Sequence, residues 1–293
     1  MELRAVRAAG PAYLAMVTEL LQRQRAIDPA AGLWEAADLQ WWYTRDPHPC
    51  DEDAVFWVTG DRVPVVAVVF TRWSPKRYGC DVIGDTGHGP AWDYVRERCA
   101  RLDRASVEMG ILPDDEVMAH EAERAGFTET GELYETDWLD AVDRPVRPEL
   151  PAGYTLPAGY TLLARPGQTG PHPMAKRNGA EVEARLRLCS LYDPELDLAV
   201  RGPDGQIAAY AMFWADVRTG VGLVEPMRVE DEHSGRGVAA GLLRAGLDRL
   251  AEKGCRRLNV SHDTANEPAR RLYHRAGFGA QMQVPVLVRP AAD

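Results

Sequence analysis

The sequence predicts an α/β fold that occurs twice in the chain, one half after the other. The tetrapeptide RAGF stands at residues 124–127 and again at 275–278, each time after a short helical pattern and before a strand-like stretch. A Gly-x-Gly element lies upstream of each copy at a similar separation, at residues 87–89 and 235–237. Internal similarity of this kind indicates two copies of one structural plan.

A stretch rich in proline and glycine separates the two halves. The hexapeptide PAGYTL occurs at residues 151–156 and again at 157–162. Such a composition is typical of a linker, and a small duplication is best tolerated at an exposed junction. We therefore predict one domain at residues 1–145, a linker at 146–157 and a second domain at 158–293.

Hydrophobic periodicity predicts alternating strands and helices in both halves. In the second half we predict strands at 154–164, 196–201, 206–216, 221–230 and 258–262, and helices at 179–191, 237–253 and 267–275. In the first half we predict helices at 11–25, 90–102 and 116–125, a hairpin at 54–71, and strands at 79–84 and 105–111. Asn266 directly precedes the last helix and is predicted as its N-cap.

The composition indicates a globular protein without a nucleic-acid or membrane partner. Of the 293 residues, 45% are hydrophobic and 27% are charged, and the formal net charge is −10. Such a charge disfavours binding to nucleic acid and to anionic membranes. No apolar run approaches the roughly 18 residues of a membrane span, and the N-terminus has no signal-peptide pattern.

The five cysteines are scattered along the chain and are never spaced as CxxC. This usage favours reduced thiols and a cytoplasmic location. It also argues against a zinc site or a disulfide framework, so no metal is expected.

The stretch EHSGRGVAAGLL at residues 232–243 places two glycines where a helix begins. The first N–H groups of a helix lack internal acceptors and lie at the positive end of the helix dipole. Glycine lets a phosphate approach those groups closely. On this stretch alone, a phosphate cradle and a plain strand-to-helix turn both remain open. His233 beside it is interpreted as a solvated turn residue.

Two motifs in the second half resemble those of the GCN5-related N-acetyltransferase (GNAT) superfamily. The phosphate loop of that family, Gln/Arg-x-x-Gly-x-Gly/Ala, is matched at residues 234–239, except that Ser234 stands at its first position. The later element, N-x-x-A-x-x-x-Y followed by GF, is matched at 266–273 and 277–278. The resemblance covers residues 154–293 and is fainter in the first half. It implies an α/β fold of two tandem GNAT-like domains, each a mixed, mostly antiparallel central sheet flanked by helices.

The resemblance also implies acetyl-CoA as a co-substrate. Backbone amides of the glycine loop would hold the pyrophosphate, a strand would bond the pantetheine arm through its main chain, and an asparagine would touch the pantetheine. The residues assigned to these contacts are Met227, Val229, Ser234, Gly235, Arg236, Gly237, Val238, Ala239 and Asn266.

Two catalytic residues follow from the same resemblance. Tyr273 would be the general acid that protonates the departing thiolate, and Glu225 would accept a proton from the substrate amine. A core aromatic residue at Tyr273 and a surface carboxylate at Glu225 are the alternatives. His262, at the end of a predicted strand, is a further candidate for the base.

The first half departs from the family pattern at each functional position. Pro90 removes one backbone donor from its glycine loop, Ala122 stands in the place of Tyr273, and Asp115 stands in the place of Asn266. We therefore expect a degenerate copy with a structural or substrate-shaping role.

The sequence thus predicts an N-acyltransferase that moves acetyl from acetyl-CoA to a primary amine of a small molecule by direct attack. This chemistry needs neither an enzyme nucleophile nor a metal. The alternatives are a non-catalytic acyl-CoA sensor or scaffold, and an enzyme that acts on a protein amino group. The identity of the amine, the size of the acyl group and the oligomeric state stay open.

Overall fold

The computed structural model of the protein describes residues 3–29, 32–45, 53–145 and 156–292. The chain forms two compact units. The first unit contains Met1–Tyr134 and Gln283–Asp293, and the second contains Glu135–Met282. Among the described residues, no helix combines the length and the hydrophobicity needed to cross a membrane.

Helices and strands alternate along most of the chain, as the sequence predicts. The strands are β1 (Arg4–Arg7), β2 (Ala54–Val58), β3 (Pro64–Ser74), β4 (Arg77–Gly84), β5 (Ser106–Gly110), β6 (Thr128–Asp140), β7 (Thr161–Ala164), β8 (Asp197–Arg201), β9 (Ile207–Asp216), β10 (Val221–Val229), β11 (Arg257–Asp263) and β12 (Gly279–Arg289). The helices are α1 (Gly10–Ile27), α2 (Ala36–Arg45), α3 (Gly89–Arg101), α4 (Glu116–Arg124), α5 (Ala175–Asn178), α6 (Val182–Leu186), α7 (Val238–Glu252) and α8 (Glu267–Arg275).

The predicted helix at 179–191 is wrong in its extent. The structure has two short helices there, α5 and α6, and Gly179 between them has a φ of +83°. A residue in this left-handed region ends one helix and cannot lie inside the next. The other predicted helices agree with the structure to within two residues at each end.

The sheet of the first unit is antiparallel from β1 to β4 and then changes direction. Strand β5 runs parallel to β4 and pairs with it only from Arg77↔Ser106 to Gly79↔Glu108. The last part of β12 lies next, antiparallel to β5, from Val286↔Gly110 to Arg289↔Val107. Strand β6 follows β12 in the strand order.

The second unit repeats this plan. Its strands are antiparallel from β7 to β10, and β11 runs parallel to β10 over the rungs Val221↔Arg257 to Leu223↔Asn259. Here the neighbour of β11 is β6, and β12 comes after it. The mixed, mostly antiparallel sheet predicted for both halves is confirmed. Strands β6 and β12 have therefore exchanged places. The neighbour of β5 is β12, from the second half of the sequence, and the neighbour of β11 is β6, from the first half.

This exchange was not predicted from the sequence. Strand β6 begins in the first unit and ends in the second, whereas β12 begins in the second unit and ends in the first. The domain boundaries proposed from the sequence stay a prediction. Residues 146–155, which include most of the predicted linker, the first hexapeptide and the start of the strand predicted at 154–164, lie outside the described residues.

Each unit has its own hydrophobic core beside its sheet. In the first unit, Trp92 of α3 and Phe127 are buried against β3 to β5. In the second unit, Leu242 and Leu243 of α7 pack with Phe213 of β9. The apolar stripe of α7 explains this packing, because its buried residues recur at helical spacing.

Gly246 permits the close approach of α7 to β9. A Cβ at this position would lie 2.0 Å from the ring of Phe213. We expect Gly246→Ala to lower the free energy of unfolding by up to about 2 kcal/mol, because an overpacking cost of about 1–3 kcal/mol outweighs the roughly 1 kcal/mol that alanine gains in a helix. Urea denaturation measures this change. Gly279→Ala is the control, since no atom lies within 4 Å of its added Cβ, and unchanged stability in Gly246→Ala would contradict the packing.

Candidate active site

The N-terminus of α7 is open to solvent. Gly237 is its N-cap residue, with a φ of +81°, and Gly235 has a φ of +71°. A Cβ at either glycine would meet no atom within 4 Å. Among the described residues, no side chain caps this helix end. The first N–H groups of α7 therefore face accessible space, at the positive end of a 15-residue helix.

His233 anchors the segment that leads into this loop. Its Nδ1 lies 2.9 Å from the hydroxyl of Tyr160, and its side chain is buried beside that ring. The interpretation of His233 as a solvated residue is wrong, because β7 and the residues before it cover the imidazole. Gly202 allows this arrangement, since a Cβ there would lie 2.9 Å from the ring of His233. Ser234 and Arg236, on the other hand, are exposed.

Strand β10 has an open edge beyond its first residues. Its pairing with β11 covers only residues 221–223, whereas its pairing with β9 continues to Val229↔Ala209 after a bulge between Val224 and Met227. Among the described residues, no strand pairs with the β11-facing side of β10 after Leu223. Met227 and Val229 therefore lie where an extended ligand arm can bond to main-chain groups.

Tyr273 of α8 lies inside the second unit. Its ring stacks on His262 at 5.6 Å between centroids and meets Phe278 edge-on at 6.0 Å. Burial raises the pKa of Tyr273 well above its ordinary value, and the negative charges of Glu225 and Asp137 raise this pKa further. The phenol therefore keeps its proton at neutral pH and can act as a proton donor.

Glu225 lies on β10 immediately after the point where β10 and β11 stop pairing. The side chain is partly buried, and its main-chain carbonyl accepts a hydrogen bond of 2.6 Å from Nε1 of Trp214. Burial and the negative charge of Glu225 both raise the pKa of Tyr273. The catalytic roles of Glu225 and Tyr273 stay predictions.

Asn266 is the N-cap of α8, as predicted. Its Oδ1 accepts a hydrogen bond of 3.3 Å from the backbone N–H of Ala269. The corresponding residue of the first unit, Asp115, caps α4 in the same way, with a bond of 2.8 Å from Met118. Equivalent capping supports the predicted correspondence of the two helices. The cap engages only the oxygen of Asn266, and its amide group stays exposed.

The first unit lacks a phenol at the corresponding place. Ala122 of α4 is fully buried in the core. In the glycine loop, the ring of His88 packs edge-on against Trp57 at 5.3 Å, and Nε1 of Trp92 donates to the carbonyl of Thr86. The degenerate character of this copy stays a prediction, and these contacts show the loop stabilised by its own side chains.

One residue of the first unit was missed from the sequence. Asp81 lies four residues after the first parallel rung of β4, and Glu225 lies four residues after the first parallel rung of β10. The Asp81 carboxylate accepts a 2.7 Å hydrogen bond from Nε1 of Trp34, and burial raises its pKa to about 7. Asp81 would have been identified by counting four residues from the first rung of the β4–β5 pair, since Glu225 lies four residues after the first rung of the β10–β11 pair.

A second group of polar residues lies beside Tyr273. Glu135 and Asp137 of β6 meet His262 of β11 and His274 of α8. The sequence suggested His262 as a candidate base, but it gave no sign of this group. Its members come from segments more than 120 residues apart, with 125 residues between Asp137 and His262.

Comparisons with known proteins agree with this geometry. Residues 169–278 match the profile of the Acetyltransferase (GNAT) family. Over 87 residues the chain is 37% identical to the mycothiol acetyltransferases of Clavibacter michiganensis subsp. michiganensis and Clavibacter sepedonicus. These matches cover 30% of this chain and only 28% of each relative.

Solved structures resemble the whole chain in fold. A GCN5-related N-acetyltransferase from Sphaerobacter thermophilus has a TM-score of 0.59 at 19% identity, covering 99% of this chain and 97% of that one. A tandem GNAT protein from the clavulanic acid biosynthesis pathway has a TM-score of 0.60 at 17% identity, covering 100% and 99%. At such identities the likeness concerns the fold, and it confirms the tandem layout.

The raised pKa of Tyr273 can be tested by titration. Near the ordinary tyrosine pKa of about 10, the native wild type and Tyr273→Phe should show the same phenolate absorbance, because the buried phenol contributes none. In denaturant the wild type should show about half a phenolate more, because a phenol is half ionised at its pKa, and this difference serves as the control. An excess of about half a phenolate in the native wild type would contradict the predicted burial effect.

Proposed function

Because residues 169–278 match the profile of the Acetyltransferase (GNAT) family, we propose that this chain transfers an acetyl group from acetyl-CoA to a primary amine of a small molecule. The observation that carries the proposal is the placement of a protonated phenol, Tyr273, and a carboxylate, Glu225, beside an open strand edge. The free N-terminus of α7 belongs to the same unit.

The glycine loop is proposed to bind the pyrophosphate of acetyl-CoA. Gly235 and Gly237 leave space before α7, and the N–H groups of Val238 and Ala239 lie in its first turn. An anion there gains hydrogen bonds and the favourable end of the dipole. Ser234 is shorter than the glutamine or arginine of the family motif. Because main-chain groups make most of the cradle, we expect weaker phosphate contact there, without loss of binding.

The open edge of β10 is proposed to bind the pantetheine arm. Met227 and Val229 present main-chain groups on the side where β11 has diverged. The N–H of Val229 is a candidate donor to the thioester oxygen, where negative charge develops during attack. The exposed amide of Asn266 is a candidate contact for the arm. This placement brings the thioester toward Glu225.

The reaction proceeds by direct attack of the amine on the thioester carbon. The amine must first lose its ammonium proton, and Glu225 accepts it directly or through water. The C–N bond forms as the C–S bond breaks, and the sulfur leaves as a thiolate. Tyr273 gives its proton to that sulfur, so the products are the acetylated amine and CoA. The nitrogen releases a second proton as it becomes the amide, and this proton restores the phenol of Tyr273. The proton held by Glu225 is the surplus one, and it returns to solvent.

A small-molecule amine is favoured by the curated relatives, which are named mycothiol acetyltransferases. A protein that only senses acyl-CoA would bind the cofactor through the loop and the strand edge alone. It would not need a phenol whose pKa is raised by burial and by the negative charge of Glu225. The alternatives of a sensor and of a protein acetyltransferase therefore rank below the proposed function.

Replacing Tyr273 tests the proposed chemistry. Tyr273→Phe removes only the hydroxyl, so we expect turnover to fall by about 10²-fold, a typical contribution of a general acid. CoA affinity should be unchanged, because the ring still fills its place between His262 and Phe278. Release of free CoA thiol in the presence of a panel of amines measures turnover. Tyr78→Phe in β4 is the control, and undiminished turnover in Tyr273→Phe would remove this residue from the mechanism.

Two substitutions at Gly237 test the phosphate cradle. Asp and Asn have the same shape and both tolerate a positive φ, so the difference between Gly237→Asp and Gly237→Asn reports charge alone. A carboxylate about 4 Å from a phosphate costs about 4 kcal/mol at an effective dielectric constant of 20, and solvent screening reduces this cost. We expect Gly237→Asp to bind acetyl-CoA at least about tenfold more weakly than Gly237→Asn, a difference of about 1.4 kcal/mol.

Calorimetric titration with acetyl-CoA measures both variants and the wild type. One site per chain is expected, because the loop of the first unit is held by its own side chains. Equal affinity of the two variants would mean that the loop is only a turn. Two sites in the wild type would show that the first unit also binds the cofactor.

A further inference from the structure

Four side chains of the second unit converge on one small region. Glu135 and Asp137 extend from β6, His262 from β11 and His274 from α8. Residues two apart on a strand point to the same face of the sheet, which places both carboxylates together. Glu135, Asp137 and His262 are buried, and His274 lies at the rim with 39% of its side chain exposed.

Each of the two imidazole nitrogens lies at a similar distance from an oxygen of each carboxylate. Nε2 of His262 lies 3.2 Å from Oδ2 of Asp137 and 3.6 Å from Oε1 of Glu135. Nε2 of His274 lies 3.3 Å from the same Asp137 oxygen and 3.6 Å from the same Glu135 oxygen. Each carboxylate thus faces both imidazoles through a single oxygen atom.

Hydrogen bonding accounts for only part of this geometry. Of the two short contacts to Oδ2 of Asp137, the one with Nε2 of His262 is a hydrogen bond. Nε2 of His274 lies 3.3 Å from the same oxygen, but among the described residues this contact is not a hydrogen bond. One nitrogen atom of the group is therefore held close to a carboxylate oxygen without a hydrogen bond between them.

Asp137 supplies a second observation. This residue is completely buried, and among the described residues its Oδ1 has no hydrogen-bond partner. Its immediate neighbours include another carboxylate, which adds repulsion to the cost of burial. A buried carboxylate in this setting requires compensating positive charge of the kind that a cation supplies.

We propose that Glu135, Asp137, His262 and His274 form a binding site for a divalent transition-metal ion, with Zn²⁺ as the preferred occupant. Zn²⁺ binds imidazole nitrogen and carboxylate oxygen at about 2.0–2.2 Å in tetrahedral geometry, which separates neighbouring ligand atoms by about 3.3–3.6 Å. The four contacts of 3.2, 3.3, 3.6 and 3.6 Å agree with the edges of such a tetrahedron. Two nitrogen and two oxygen donors disfavour Ca²⁺ and Mg²⁺, which prefer oxygen alone.

This site departs from the expectation that the chain binds no metal, which rested on the absence of paired cysteines. The ion would link α8 to β6 and β11. Since α8 carries Tyr273 and is capped by Asn266, the metal would fix the orientation of both residues. Four protein ligands leave no open position, so the role is structural and the ion takes no part in acyl transfer.

Metal binding can be measured on the full chain without any substrate. The protein is stripped with a chelator, dialysed, and titrated first with Co²⁺ and then with Zn²⁺. We expect one Co²⁺ per chain with the intense visible absorption of tetrahedral Co²⁺, and complete displacement of Co²⁺ by Zn²⁺, which binds more tightly to such a site. The melting temperature should rise with Zn²⁺ because the ion binds only the folded state.

Variants separate this site from adventitious binding to surface histidines. His274→Gln should bind Co²⁺ at least tenfold more weakly and lose the tetrahedral absorption, while its exposed position preserves the fold. His120→Gln, at an exposed position on α4, should bind as the wild type does. A wild type without the absorption would overturn the proposal and indicate a network of ion pairs. So would a His274→Gln variant that binds as tightly as the wild type.

Discussion

The limited pairing of β10 with β11 is the constraint on which the candidate active site depends. Two parallel strands that paired along their whole length would occupy every main-chain group between them. Here the pairing stops after Leu223, and a bulge redirects β10. Because the two strands diverge, one edge of β10 is left unpaired, and Glu225 lies near the start of this unpaired edge. Without it, the proposed phosphate site at the glycine loop would have no neighbouring strand edge for the rest of the proposed ligand.

In the first unit, β4 and β5 also stop pairing after three rungs. A comparison of the two units therefore distinguishes features of the common fold from features of the proposed active site. Both have a parallel pair that holds for three rungs, a carboxylate at the same register, and a nine-residue helix with an acidic or amide N-cap. The backbone plan is therefore common to both. What differs is local: Ala122 fills core space where Tyr273 provides a phenol, and Trp34 donates to Asp81. The proposed function depends on these side chains and not on the plan.

Charged side chains act on Tyr273 in the second unit. Burial and the negative charges of Glu225 and Asp137 raise the pKa of Tyr273. The imidazoles of His262 and His274 face the carboxylates of Glu135 and Asp137. Burying such groups is costly unless they are compensated in a fixed geometry. Desolvation raises the pKa of Asp137 as it does that of Tyr273. A cluster that is costly to bury and rigidly placed constrains α8, and with it the proposed proton donor.

The sequence by itself determined the elements, the repeat and the two motifs, because these depend on short-range signals. Periodicity located α7 and α8, and Asn266 was identified as a cap because capping is decided within four residues. Only the tertiary structure decided the exchange of β6 and β12, since the pattern of a strand does not specify its partner. It also decided the burial of His233 and the meeting of Asp137 with His262, because contacts across more than a hundred residues depend on how the sheet is assembled.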